Sequence, residues 1–348
     1  MEKLVKTIHW IVDNDVNNLL DNEAIVEAAE QLQNNEVVAF PTETVYGLGG
    51  NAYSDEAIEK IFVAKGRPAD NPLIIHIYSE TQLNELVASV PELAKPLIDA
   101  FWPGPLTLIL PKGKKVSTKA TAGLQTVAIR MPNHPVALAL LEKTNLPIAA
   151  PSANLSGKPS PTTAAHVLAD LDNKIAGIVD GSQTGIGVES TVVHMDDDSV
   201  TVLRPGSITV EQLASVVGYD AIRSTKQQTS ERPTSPGMKY THYAPNAPLY
   251  IVNGSREHIQ ELVKQQQAQG KRVGVLTTEE YADAYKADLV IACGQREALA
   301  SIATGLYAAL RQFDAEKVDV IISESFPKVG IGVAIMNRLE KAAIEIME

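Results

Sequence analysis

One cysteine stands in 348 residues. A single thiol, Cys293, excludes a disulfide framework and a cysteine-based zinc site, and it agrees with a reducing compartment. Long apolar runs are missing too. The longest, such as LTLIL and VDVIIS, have the length of strands and fall far short of a bilayer's thickness. The opening segment MEKLVKTIHWIVDND has acidic residues inside and no small-residue cleavage signature. A cytoplasmic protein with no membrane partner is expected. Positive charge is also scarce. The formal net charge is −12, and from residue 246 onward 11 Lys and Arg face 14 Asp and Glu, which puts −3 there and −9 in residues 1–245. Neither part has the basic footprint of a protein that lives on nucleic acid. The one basic cluster, PKGKKVSTK from Pro111 to Lys119, reads as a solvated loop, with weak tRNA contact as the second reading.

Several catalytic signatures are absent. GLGGNA at Gly47 and GIGVAI at Gly330 each lack the third glycine of a dinucleotide fingerprint, and both read as tight turns. No glycine loop is followed by Lys-Ser or Lys-Thr, so there is no P-loop. Ser152 lies in APSAN and not in a G-x-S-x-G elbow. His76, His134, His166, His194 and His242 are scattered, without a paired metal spacing.

What is present suits a folded protein of two domains: apolar residues make up 45% of a chain longer than one core usually serves. Residues 22–34 carry apolar positions at helical spacing, and EVVAF reads as a strand. Ser54 followed by Asp55 and Glu56 marks a helix start, with AIEKIFVAK continuing it. PLIIHI, LTLIL, TVAIRM, LPIAA, AGIVD, STVVHM and VTVLR are further strands, so the first part is an α/β or α+β sheet domain. Beyond Val217 the composition turns to Ser, Thr, Pro and Gln without apolar period, which reads as a linker ending in the dense cluster MKYTHYAP. Strands PLYIVN, KRVGVLT, ADLVIA and VDVIISE then alternate with helices REHIQELVKQQQAQ, REALASIATGLYAALRQF and GVAIMNRLEKAAIEI, the pattern of a small parallel sheet.

The candidate chemistry is anion binding. Lys65 and Arg67 lie at the end of a helix, where cations are favoured by the dipole in any protein. Pro68 and Pro72 are expected to stop the helix and stiffen its exit, and Asn71 sits between them. Rigid cations beside an amide suit a polyphosphate, since arginine forks onto phosphate oxygens and lysine adds a point charge. PSANLSGKPSPT follows a strand and holds Ser152, Asn154, Ser156 and Ser160; small hydroxyls and backbone N–H groups there form either an anion cradle or an ordinary turn. Ser190 with Thr191, and Arg204 in VLRPG, repeat the pattern. Arg130, at the end of TVAIR and before Met131-Pro132, is placed to clamp a carboxylate.

FPTETVYGLGGNA, KGRPADNPLIIHI, FWPGPLT, IRMPNHP, APSANLSGKPSPT, ESTVV and LRPG, in this order, resemble the YrdC-like threonylcarbamoyl-AMP synthases over about residues 24–212. SPGMKYTHYAP and the later α/β unit resemble the long two-domain form of that family. The resemblance implies a twisted α/β catalytic domain with a concave groove over residues 1–212. It implies a linker at 213–245 that folds back over the active site, and a smaller Rossmann-like parallel α/β domain at 246–348. It implies L-threonine, bicarbonate and ATP as substrates, Mg²⁺ as a companion of ATP, and pyrophosphate as a product. Threonylcarbamoyl transferase proteins would then pass the group on to tRNA. By the same resemblance Lys65 and Arg67 are catalytic. ATP would meet Lys65, Arg67, Asn71, Thr126, Ser152, Asn154, Ser160, Arg204 and Tyr243. L-threonine would meet Thr44, His76, Arg130, Ser190 and the backbone of Ala150. Two rival readings remain: a carbamoyltransferase of the hydrogenase-maturation kind, which usually adds cysteine-rich zinc modules, and a non-enzymatic RNA-binding module.

Overall fold

The architecture follows from short β-branched runs separated by capped helices. The computed structural model describes residues 6–13, 18–224 and 242–348. Contacts divide the chain into two units, the first holding most of residues 1–239 and the second most of 240–348.

In the first unit, strands and helices come in the order β1 (Ile8–Ile11), α1 (Glu23–Gln33), β2 (Val38–Phe40), β3 (Gly47–Asn51), α2 (Asp55–Lys65), β4 (Ile74–His76), α3 (Glu80–Leu86), α4 (Ala94–Phe101) and β5 (Leu106–Pro111). Then follow β6 (Thr126–Arg130), α5 (Pro135–Thr144), β7 (Ile148–Ala149), α6 (Ala164–Leu171), β8 (Gly177–Asp180), β9 (Thr191–Met195), β10 (Val200–Arg204), α7 (Val210–Val217) and β11 (Ile222–Ser224). Among the described residues these strands form one mixed sheet in the order β1-β8-β2-β3-β7-β4-β6-β5-β9-β10-β11. Asn22 caps α1 by accepting from the N–H groups of Ala24 and Ile25, and Ile25, Ala28, Ala29 and Leu32 form its buried stripe. Ser54 caps α2 as expected, with Asp55 and Glu56 in the first turn.

Three local expectations change. The exit of α2 is set by Gly66, which takes the left-handed conformation (φ 60°, ψ 35°) and closes the helix one residue after Lys65, before either proline is reached. GLGGNA is not a turn: its first five residues form β3, antiparallel to both β2 and β7. A Cβ on Gly49 would lie 2.7 Å from Ile148 Cγ2 and 2.8 Å from Phe40 Cε1, so glycine here makes room for neighbouring side chains. Regular structure also continues past residue 212, through the end of α7 and into β11, which pairs in parallel with β10. Of the expected linker at 213–245, residues 225–241 lie outside the described residues.

The second unit is a parallel sheet. Its elements are β12 (Leu249–Val252), α8 (Arg256–Ala268), β13 (Val273–Thr277), β14 (Leu289–Ala292), α9 (Leu299–Ala315), β15 (Val320–Glu324), α10 (Gly332–Ala342) and β16 (Glu345–Met347), with strand order β14-β13-β15-β12-β16. Helix α10 stops at Ala342, short of the expected end, because Glu345–Met347 pairs with β12 as an edge strand. Ile344 and Ile346 recur at the strand period of two and not at helical spacing. The core of this unit gathers Val252, Ile259, Val263, Val273, Val275, Val320 and Ile322.

The crowding around Gly49 gives a stability test. Gly49→Ala should destabilise the protein by roughly 1–3 kcal/mol. Gly185→Ala, where nothing lies within 4 Å of the new methyl, should change stability by less than about 0.5 kcal/mol. Urea midpoints of the two variants check this.

Candidate functional site

The middle of the large sheet decides where the polar residues meet. Strands β4 and β6 run parallel, with His76 opposite Arg130. On its other side β4 pairs with β7, and the N–H of Ala150 donates to the carbonyl of Ile74 at 2.8 Å. The segment between β2 and β3 carries Pro41 to Tyr46, and Thr42 Oγ1 folds it by accepting from the N–H groups of Thr44 and Val45. This turn points Thr44 Oγ1 at Arg130, whose Nη1 donates to it at 2.9 Å. Arg130 Nε donates to the carbonyl of Gly104, and Nη2 lies 2.6 Å from the Glu43 carboxylate. The guanidinium is almost wholly buried, so these partners are what makes its charge tolerable there.

His76 is buried beside this group, edge-on to Phe40. Burial, and then the nearby Arg130 charge, press its pKa down to about 3, against a partial pull from the carbonyls of Ile74 and Ile148. Its imidazole is therefore neutral at ordinary pH. His134, just after β6, is also buried; burial lowers its pKa, while the charge of Glu43 works the other way. Ser190 and Arg204 form a neighbouring cluster: Arg204 donates through Nε to the Ser190 carbonyl and through Nη2 to its hydroxyl, both at 3.1 Å. Ser190 Oγ also shares a 2.8 Å hydrogen bond with Thr107.

A second set lies where α2 meets the loop after β7. Lys65 is buried, and its ammonium donates to the carbonyls of Ser152 and Asn154. The Ser152 hydroxyl hydrogen-bonds Asn154 Oδ1, and the loop is pinned to β3 by the Leu48 N–H on the Pro151 carbonyl. Arg67 Nη2 points at the carbonyls of Asn71 and Pro72, and the buried Asn71 Oδ1 has no hydrogen-bond partner among the described residues. The sequence-derived residues thus assemble as Thr44, His76, Arg130 and Ala150; as Ser190 with Arg204; and as Lys65, Ser152 and Asn154, with Arg67 on Asn71.

Three further residues are not part of these groups. Thr126 is at the opposite end of β6 from Arg130 and lines a cavity of about 460 Å³ with Ser89, His194 and Asp196. Ser160 and Tyr243 belong to the second unit. There Tyr243 is buried, stacked on Tyr307 with ring centres 5.5 Å apart, and the Arg338 guanidinium lies 5.7 Å from its ring. In the basic loop Lys115 pairs with Glu85 and Lys119 with Glu59, so part of its charge is met on the protein.

Glu43, His134 and Thr107 were missed by sequence reasoning. Glu43 sits in the quoted motif PTETVYG, but its partner Arg130 is far along the chain and no local spacing joins them.

Residues 30–206 match the family model described as Telomere recombination, and residues 208–344 match Threonylcarbamoyl-AMP synthase, C-terminal domain. A threonylcarbamoyl-AMP synthase of Bacillus subtilis is 59% identical over 340 residues, spanning 97% of this chain and 98% of that one. The chain belongs to the threonylcarbamoyl-AMP synthase family. A family member from Pyrococcus abyssi is 48% identical over 91% of this chain and 93% of its own length. The crystal structure of P. abyssi Sua5 complexed with L-threonine matches with a TM-score of 0.91 and 45% identity, covering 98% of this chain and 100% of that one. The family's two-domain form therefore accounts for the whole architecture, a mixed α/β sheet domain followed by a smaller parallel one. No helix of the described residues is long and apolar enough to cross a membrane.

His76 makes acid stability a test of this packing. Its folded pKa is about 3 against 6.5 in the unfolded chain, so between those values the unfolded state binds more protons. Stability should fall as pH drops below 6.5, by up to about 1.4 kcal/mol per unit from this group. His76→Gln should lose stability less steeply than wild type between pH 6.5 and 4.5 in urea titrations, and parallel slopes would place the sensitivity elsewhere.

Proposed function

We propose that the chain makes L-threonylcarbamoyl-AMP from L-threonine, bicarbonate and ATP, releases pyrophosphate, and so performs the first step of N6-threonylcarbamoyladenosine formation in tRNA. The observation that carries this reading is the pairing, within one sheet unit, of a carboxylate-type corner (Arg130 with Thr44) and a phosphate-type corner (Lys65 with the Ser152–Asn154 loop and Arg67). Relatives of high identity carry the synthase name, and the solved P. abyssi relative is titled as complexed with L-threonine.

In this reading L-threonine places its carboxylate on Arg130, with Thr44, His76, Ser190 and the Ala150 backbone around it. A neutral His76 adds hydrogen-bonding surface without a second positive charge competing for the carboxylate. The triphosphate lies along Lys65, Arg67, Asn71, Ser152 and Asn154, with Arg204 also on the nucleotide side. The threonine amine attacks the carbon of bicarbonate; water leaves and a carbamate forms. A carbamate oxygen then attacks the α-phosphorus, and pyrophosphate departs. No covalent enzyme intermediate is needed, so the contribution of the protein is positioning and charge stabilisation. Mg²⁺ is expected on the phosphates, its usual mode; among the described residues no group of three or more His, Cys, Asp or Glu is placed to hold a metal. The labile product then passes to tRNA threonylcarbamoyl transferase proteins.

The test is pyrophosphate release from ATP with and without L-threonine and bicarbonate. Release should need both. Lys65→Ala and Arg67→Ala should each lower the rate on the order of 10²-fold. Turnover indifferent to threonine would sink the reaction, and near-normal rates in both variants would sink the two assignments alone.

A further inference from the structure

The Glu43 carboxylate is mostly buried, yet nothing in the reaction scheme above uses it. It touches Arg130 Nη2 at 2.6 Å, but among the described residues neither that nitrogen nor either Glu43 oxygen has a hydrogen-bond partner in good alignment. Buried charged atoms left in this state are uncommon and costly, and the shortfall marks a place where donors or acceptors from outside the chain would be welcome. A carboxylate accepts only, so what Glu43 lacks is a donor. His134, on which the Glu43 charge also acts, is held towards its neutral form by burial.

We propose that Glu43 is the contact for the α-ammonium group of the amino-acid substrate. The inference rests on the reading of this corner as the L-threonine site. An α-amino acid presents a carboxylate and an ammonium one carbon apart, and Arg130 and Glu43 present the complementary charges in touching distance. Arg130 alone would fit any carboxylate. With Glu43 beside it the corner carries no net charge and fits a zwitterion. A carboxylate ligand without the amine would meet Arg130 but also face the like charge of Glu43, so the pair discriminates by repulsion as well as attraction. Glu43 and Thr44 are consecutive in one turn, fixed by the hydrogen bonds of Thr42, so the amine contact and the hydroxyl contact of Arg130 are positioned together.

The experiment is calorimetric titration of wild type and Glu43→Gln with two ligands: L-threonine, and 3-hydroxybutanoate, the same carbon chain without the ammonium. Wild type should prefer L-threonine. In Glu43→Gln, L-threonine should bind on the order of 10–100-fold more weakly, the size of a charge-assisted hydrogen bond. Affinity for 3-hydroxybutanoate should hold or improve, because the repulsion is gone and no ammonium contact existed. Glu43→Asp, which keeps the charge at a shorter reach, should fall between and guards against a folding defect in the amide variant. Equal weakening of both ligands would show that Glu43 merely steadies Arg130, and would overturn the proposal. Absence of L-threonine binding in wild type would overturn the functional reading first, and the inference with it.

Discussion

A guanidinium cannot be carried into a protein interior unless acceptors come with it, and the burial of Arg130 organises much of the first unit. Its partners come from separate stretches: the Gly104 carbonyl before β5 and the Thr44 hydroxyl after β2 as acceptors, and the Glu43 carboxylate beside Thr44 as the opposite charge. These stretches meet only if β6 lies between β4 and β5 in the observed register. The sheet order and the charged corner thus depend on one another. A slip of β6 by one residue would turn Arg130 to the other face and strand Glu43 in an apolar setting.

Legibility in the sequence followed the range of the interactions. The helix start at Ser54 was readable because a cap and the helix it serves are a few residues apart. Strands such as TVAIR and VDVIIS were readable from β-branched content. β3 was not, since its residues have little intrinsic strand preference; its form is imposed by Phe40 and Ile148, which need the space that side chains would fill. The final strand was hidden behind a helical run whose apolar spacing changes only at Ile344.

The site shows the same division. Lys65, Arg67 and Asn71 announced themselves as a local cluster stiffened by prolines. Ser152 and Asn154 were visible as a hydroxyl-rich turn open to two readings; the Lys65 ammonium on its carbonyls was not visible, because that contact joins residues nearly ninety positions apart. Glu43 was not visible, because one carboxylate in a loop has no meaning until the fold supplies its arginine. The motif order identified the family sooner than any single residue identified its task.

The attachment of Lys65 to the Ser152 and Asn154 carbonyls bears on the entropy of binding. A free lysine side chain that must be ordered gives up rotamer freedom worth up to about 1.5–2 kcal/mol. Here that ordering is completed during folding, with α2 and the loop after β7 holding the ammonium in place before any ligand arrives. In the proposed phosphate site an anion would meet a side chain ordered in advance, and its affinity would not be reduced by disorder it would otherwise have to remove.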